Sequence, residues 1–332
     1  MEKSLLARFT KKVIAEAASR YGVQFEELHL LGKHQNLVYG YLREGREYIL
    51  RITHASHRSQ NLIQGELDWI NYLSKNDLHV STPIYSDKGN LIETYVSDTN
   101  DCFFMVAFEK ALGAPLQDTI SQEEDFKYLG IVTGRLHSLT KNYLSTSEKT
   151  RRFTWNENEY LKKFTDHIPQ SQERVLSYLD QLMERLDELP KDQAAYGLIH
   201  GDLLFGNYFI QKDGTITLFD FDECQYGWFM QDIAVNLFYG VVVPFQNENE
   251  ITFARRYLTY FFEGYDKENT LDRKLLEQLP LFLELRQVIL YSSLYRNGNL
   301  ASLDSWSQTF LEKARRNMEH SLPIIDMQKV NL

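Results

Sequence analysis

Cysteine is scarce in this chain, with only Cys102 and Cys224 among 332 residues. Two thiols without a CxxC spacing build neither a disulfide framework nor a zinc site, so the expected home is a reducing compartment, the cytoplasm. Long apolar runs are missing as well. A membrane helix needs about 18 or more consecutive apolar residues, and the longest candidate, residues 237–245, is short and interrupted by Gly240 and Pro244. No membrane association is expected. Basic charge is also in deficit: 36 Lys and Arg stand against 46 Asp and Glu, for a net charge of −10. A phosphate backbone attracts a basic surface, which argues against a nucleic-acid partner. The deficit is uneven, because residues 1–108 are close to neutral and residues 109–332 carry most of the negative charge. That balance tilts the ligand of the second part toward a cationic or neutral molecule.

Apolar material, by contrast, is ample. A hydrophobic content of 43% over 332 residues supports about two domains with proper cores. Leu5, Leu6, Phe9, Val13, Ile14 and Ala17 recur at helical spacing, with Glu2 and Glu16 among them, which predicts one packed N-terminal helix rather than a targeting peptide. Residues 28–53 read as a three-strand meander, with turn chemistry at Gly32 and Lys33 and at Glu44, Gly45 and Arg46. A helix follows over residues 59–76, its stripe made of Leu62, Glu66, Trp69, Ile70 and Leu73, and then come strands over 91–96 and 102–108. Five strands and one inserted helix predict a small α+β lobe over residues 1–108.

From residue 109 helical periodicity runs to the end, opening where Ser121 and Glu124 offer a capping box. It is broken once, over residues 198–222, which read as loop, strand, a turn at Lys212, Asp213 and Gly214, and strand. Residues 109–332 are therefore expected to form a mainly helical lobe that carries a catalytic loop and an acceptor site. Nothing in the pattern signals an oligomeric state.

The polar residues collect in that interruption. The string Ile199-His200-Gly201-Asp202-Leu203-Leu204-Phe205-Gly206-Asn207 is followed by Leu218-Phe219-Asp220-Phe221-Asp222. Phosphoryl transfer asks the protein for a base that orients the attacking hydroxyl and for oxygen ligands that hold magnesium on the phosphates. An Asp, an Asn five residues later and an Asp at the end of the next hairpin supply those parts, with the spacing of the protein-kinase catalytic loop. An ordinary Asp- and Asn-rich turn would be polar throughout, whereas Leu203, Leu204 and Phe205 lie between the polar residues here.

The H-G-D-x-x-x-x-N string with its following D-F-D resembles the aminoglycoside phosphotransferase and choline kinase family, relatives of the protein kinases. Asp232-Ile233-Ala234 resembles the Asp-Leu-Ala step that opens the next helix in that family. The spore-coat-associated and homoserine-kinase-like branches are the candidate placements. The resemblance spans nearly the whole chain and implies an α+β, protein-kinase-like fold, with a small antiparallel-sheet N-lobe and a mainly helical C-lobe. It implies ATP and Mg2+, with Asp202 as catalytic base, Asn207 and Asp220 as metal ligands, and His200 and Asp232 as hydrogen-bonding buttresses. In the small lobe Arg51 stands where the family usually has Lys, and Glu66, a carboxylate on an otherwise apolar stripe, is its expected partner. The loop from Gly32 to Asn36 would lie over the phosphates, and the backbones of Met105 and Ala107 would meet adenine.

The acceptor is expected to be a small molecule bearing a hydroxyl. Trp155, Tyr160, Tyr226 and Trp228 near Glu157, Glu159, Asp222 and Glu223 offer an aromatic cage for an amine. The same residues read more readily as core aromatics beside a solvated acidic helix face, and that plainer reading is preferred. A protein kinase is disfavoured, since no A-P-E segment follows Asp220 and a long insertion occupies residues 141–196. The remaining competitor is a binding or structural protein that kept the fold and lost the reaction, such as a spore-coat-associated relative.

Overall fold

Alternation along one strand, Arg46–His54, sets the arrangement of the first half of the chain. Leu50 and Ile52 point to one face, where they join a core with Val13, Ile14, Ala17 and Ala18 of the Lys11–Ser19 helix. Arg51, between them, points to the other face. In the computed structural model, which describes residues 3–116, 122–243, 248–296 and 300–330, the chain divides into two units.

The first unit comprises residues 1–112, 143–152 and 217–222. Its antiparallel sheet has six strands: β1 (His29–Gly32), β2 (Leu37–Arg43), β3 (Arg46–His54), β4 (Pro83–Ile84), β5 (Glu93–Val96) and β6 (Cys102–Glu109). They lie in the order β1-β2-β3-β6-β4, with β5 also paired to β6. The β2–β3 turn has two residues with positive φ, Glu44 at 52° and Gly45 at 76°, the geometry that matches the twist of the flanking strands. The helix Gln60–Lys75 begins at Ser59, whose side chain accepts the Leu62 N–H. Its buried face holds Ile63, Glu66, Leu67, Trp69, Ile70 and Leu73, while Leu62 is only half-buried.

Two expectations need correction here. The N-terminal helix is broken into Lys3–Leu6 and Lys11–Ser19, because Thr10 caps the second piece and Phe9 turns inward, edge-on to Phe103 at 5.1 Å. The two-residue β4 is a sixth strand, too short to leave a pattern.

The second unit comprises residues 113–142, 153–216 and 223–332. The helices Gln122–Thr140 and Glu250–Tyr265 meet through glycine. A Cβ on Gly130 would stand 1.9 Å from the Phe261 carbonyl oxygen, and one on Gly264 would stand 1.9 Å from that of Lys127. Residues 196–199, expected to be loop and helix flank, instead form β7 (Tyr196–Ile199). It pairs with β10 (Gln225–Trp228) in a register from Ile199 opposite Gln225 to Trp228 opposite Tyr196. Pairing between segments so far apart has no local signal. The expected strands of the hairpin are β8 (Tyr208–Ile210) and β9 (Ile216–Leu218). Their turn closes through the Gln211 N–H to the Thr215 carbonyl at 2.9 Å, with Gly214 at φ 86°. The expected capping box rests on Ser121, which lies outside the described residues, as do Pro244 and Phe245.

The glycine contacts are testable. Backbone carbonyls cannot yield as side-chain ends do, so Gly130→Ala and Gly264→Ala should each cost about 1–3 kcal/mol or more. Gly32→Ala, whose Cβ would meet only Val38 Cβ at 4.0 Å, should leave the melting temperature nearly unchanged. Thermal melts of the three variants check the contrast.

Candidate active site

In the second unit the loop that carries Asp202 is held from beneath. Asp232, fully buried in the first turn of the Phe229–Val242 helix, accepts the backbone N–H groups of His200 at 2.9 Å and Gly201 at 2.8 Å. Gly201 has φ 79°, and a Cβ there would meet the Glu223 carbonyl oxygen at 2.4 Å, so the chain needs glycine at this point. Leu203 and Phe205 are buried and anchor the loop between its polar residues. His200 is buried too, its Nδ1 3.4 Å from the Asp202 backbone N–H. Asp232 also meets His137 Nε2 at 3.3 Å, and His137 stacks on Phe229 at 4.4 Å. Burial pushes the His137 imidazole below its usual range, against the pull of Asp232.

Asp202 is partly exposed, and both of its carboxylate oxygens are engaged. Asn207 folds back to donate Nδ2 to the Asp202 carbonyl at 2.8 Å and to Oδ2 at 3.1 Å. Oδ1 accepts from the Arg286 guanidinium, which also donates to the Tyr239 hydroxyl at 2.8 Å. Burial, with the nearby Glu223 carboxylate, raises the Asp202 carboxyl above its usual range, while Arg286 and His200 work in the opposite direction. A carboxylate made more basic in this way suits proton abstraction. With Nδ2 of Asn207 committed to Asp202, the amide oxygen is the atom left to face a cation.

Arg286 and Tyr239 were not singled out in the sequence. The signal was an arginine inside the apolar run of the Leu279–Arg296 helix, where Leu283, Leu285, Val288 and Ile289 are buried. A charge in such a run needs a partner.

In the first unit Arg51 and Glu66 form the expected pair, with Nη1 to Oε1 and Nη2 to Oε2 both at 2.7 Å. Both residues are buried, and Arg51 also lies over the Phe108 ring at 5.1 Å. Burial works against its charge, but Glu66, aided by Asp222 and Asp220, raises its proton affinity further. Asp220 lies two residues beyond β9 rather than on the returning strand as expected. It is exposed, and its backbone is left-handed at φ 61°.

Asp222 is not the acid of an aromatic cage. It is buried, and its carboxylate is taken by His57 Nε2 at 2.7 Å, by Asn36 Nδ2 at 3.3 Å and by Arg58 Nε at 3.3 Å. Burial opposes its charge, yet Arg58, His57 and Arg51 hold its carboxyl well below the usual range. Asn36, placed in the expected phosphate loop, is therefore itself buried and tied to Asp222, while Gly32 closes β1 beside it.

Met105 and Ala107 do not fit the role expected of them. Met105 lies between Ile52 of β3 and Glu93 of β5, and Ala107 lies between Leu50 of β3 and Ile84 of β4. The Met105 carbonyl also accepts the Tyr21 hydroxyl at 3.1 Å. Backbone enclosed by strands on both edges is not offered to adenine. Three of the four cage aromatics are core as well: Trp155 and Trp228 are buried 5.2 Å apart, Tyr160 is buried, and the Trp228 indole donates to the Pro190 carbonyl at 2.9 Å, while Tyr226 is half-buried. The acids beside them in this unit are engaged, Glu157 in capping Thr154 and Glu159 with Lys163 and Arg296.

The chain is similar to known proteins along nearly its whole length. The sequence profile of the phosphotransferase enzyme family (APH) matches residues 30–271. The amicoumacin kinase of Bacillus subtilis (strain 168) is 35% identical over 317 residues, which is 95% of this chain and 93% of the relative. The solved structure of amicoumacin kinase hAmiN in complex with AMP-PNP, Ca2+ and Ami superposes with a TM-score of 0.92 at 35% identity, covering 100% of both chains. A microcompartment-associated aminopropanol kinase, 22% identical, shares the fold with a TM-score of 0.74 over 93% of this chain and 95% of its own. The chain belongs to the phosphotransferase enzyme family. Within it, the chain is a small-molecule kinase with the protein-kinase-like fold that its motifs implied.

The Arg51–Glu66 pair generates a prediction. Removing one partner of a buried ion pair leaves the other uncompensated and costs about 3–5 kcal/mol, so Glu66→Ala should destabilise by that amount in denaturant unfolding. Arg51→Lys keeps the charge but loses the two-pronged geometry, and should fall between Glu66→Ala and the parent.

Proposed function

We propose that the protein transfers the γ-phosphoryl group of ATP to a hydroxyl of a small molecule of the amicoumacin type, with Asp202 as the base and Asn207 and Asp220 as ligands of a divalent cation, Mg2+ in the cell. The observation that carries this reading is the Asp202 loop, where a partly exposed, basicity-raised carboxylate is fixed in place next to an amide oxygen, in a chain 35% identical to amicoumacin kinase along nearly its whole length. The donor set is one of hard oxygens, an amide carbonyl and a carboxylate, and these suit Mg2+. When bound, the cation would neutralise charge on the phosphates.

The protein's own part is orientation and proton handling. Asp202 takes the proton of the acceptor hydroxyl at one of its oxygens as that hydroxyl attacks the γ-phosphorus and the bond to the β-phosphate oxygen breaks. Arg286 and Asn207 keep the carboxylate from rotating away. Arg51, held by Glu66, keeps a fixed positive charge for the nucleotide phosphates. The surplus of acid in residues 109–332 favours an acceptor that carries a positive charge. The competing reading, a fold-sharing protein without activity, finds no support in the comparisons.

Incubating the protein with ATP, Mg2+ and amicoumacin, and following ADP release and the mass of the product, tests the proposal. A phosphorylated product is expected; ADP release no faster than without acceptor would count against this acceptor class. In the same assay Asp202→Asn should lose about 10²–10⁴-fold in kcat with nucleotide affinity little changed. An equally folded variant with near-parental turnover would remove Asp202 from the mechanism. By calorimetry, Asn207→Ala and Asp220→Ala should bind AMP-PNP as the parent does in EDTA but lose the gain that Mg2+ brings.

A further inference from the structure

The carbonyl of Asp222 receives more donors than a turn requires. It accepts Arg58 Nε at 3.3 Å, Arg58 Nη2 at 3.2 Å and Arg152 Nη2 at 2.5 Å. Both arginines are buried, at 4% and 3% exposure, so each guanidinium has given up water for this contact. Arg58 Nε also lies 3.3 Å from the Asp222 carboxylate, which offsets its charge, yet both guanidinium groups converge on this one carbonyl and so fix its position. Each arginine is itself anchored. Arg58 directly precedes Ser59, the cap of the Gln60–Lys75 helix, and Arg152 also donates to the Leu62 carbonyl of that helix at 2.8 Å.

The segment between is pinned as firmly. Phe221 is buried edge-on to Trp69 of the same helix, with ring centroids 5.4 Å apart. Asp220, immediately before it, is the exposed residue of the three, and its left-handed backbone is a conformation that persists only where the surroundings impose it. Arg58 serves the Asp222 carboxylate as well, but its two bonds to the carbonyl and the one from Arg152 act on the backbone itself, two residues from Asp220.

We propose that Arg58 and Arg152 are positioning residues for Asp220: by gripping the Asp222 carbonyl from the start of the Gln60–Lys75 helix, they fix the direction in which the Asp220 carboxylate meets the cation. The inference rests on the reading of Asp220 as a metal ligand. Neither arginine touches the nucleotide or the reacting atoms in this scheme. Partners that hold a metal ligand in place typically contribute about 10–100-fold to metal affinity, although they never contact the ion.

The test uses the full chain and AMP-PNP binding by calorimetry, once with Mg2+ and once with EDTA, and reads the ratio of the two affinities. Arg58→Gln and Arg152→Gln are expected to lower that ratio by about tenfold or more, while affinity in EDTA stays parental. Arg58→Lys should recover part of the loss. A merely structural role would lower the melting temperature and leave the ratio alone. Folded glutamine variants with a parental ratio, beside an Asp220→Ala variant that has lost it, would overturn the positioning role and leave the metal assignment standing. A parental ratio in Asp220→Ala would overturn both. Should Arg58→Gln fail to fold, Arg152→Gln decides, since it leaves His57, Asn36 and Arg58 in place around the Asp222 carboxylate.

Discussion

Asp232 is wholly buried, and its two oxygens are spent on consecutive backbone N–H groups, those of His200 and Gly201. The sharp turn that presents Asp202 is therefore secured by the start of a helix far downstream in the chain. The constraint extends outward. Gly201 must be glycine because Glu223 closes on it, and the Asp202 carbonyl stands where Asn207 can fold back upon it. A carboxylate near a helix N-terminus is favoured by the orphan N–H groups there, so the same placement helps the helix begin. His137 completes the arrangement from the Gln122–Thr140 helix, whose glycine-mediated approach to the Glu250–Tyr265 helix brings Tyr265 within 2.9 Å of its ring.

The first unit follows a different rule, in which buried carboxylates such as Glu66 and Asp222 are each held by more than one hydrogen bond or ion pair. Glu66 takes two bonds from Arg51, and Asp222 collects His57, Asn36 and Arg58. Such clusters contribute little net stability, because desolvation offsets much of the attraction. What they provide is a defined geometry. A shared guanidinium or carboxylate has few orientations that satisfy all its partners at once, whereas an apolar cluster of similar volume would tolerate many.

The readable parts of the fold were those written in local pattern. The meander of β1 to β3 followed from alternation and from Glu44 and Gly45, and the Gln60–Lys75 helix from its apolar stripe. Glu66 was legible because a carboxylate on that stripe demanded a cation, and Arg51 was at hand on the neighbouring strand. The same logic applied to Arg286 would have found Asp202, but in a helix buried on nearly every side no stripe marks the odd residue out. Arg58 and Arg152 were unreadable for another reason. Their common partner is in part a backbone carbonyl, and a backbone atom leaves no trace in a sequence. The pairing of β7 with β10, the two-residue β4 and the enclosure of Met105 and Ala107 all depend on contacts between distant segments, which local pattern does not encode.

The guanidinium at position 51 also sets limits on chemical probing. A lysine beside a nucleotide carries an amine that, once deprotonated, attacks acylating reagents. Such reagents can thus report on occupancy of the site. Arg51 has no such lone pair: its charge is delocalised, and its pairing with Glu66 raises its proton affinity still further. Reagents directed at an amine will find no nucleophile at this strand position. Competition profiling that depends on that reaction at position 51 would find nothing to label there, whether or not nucleotide is bound.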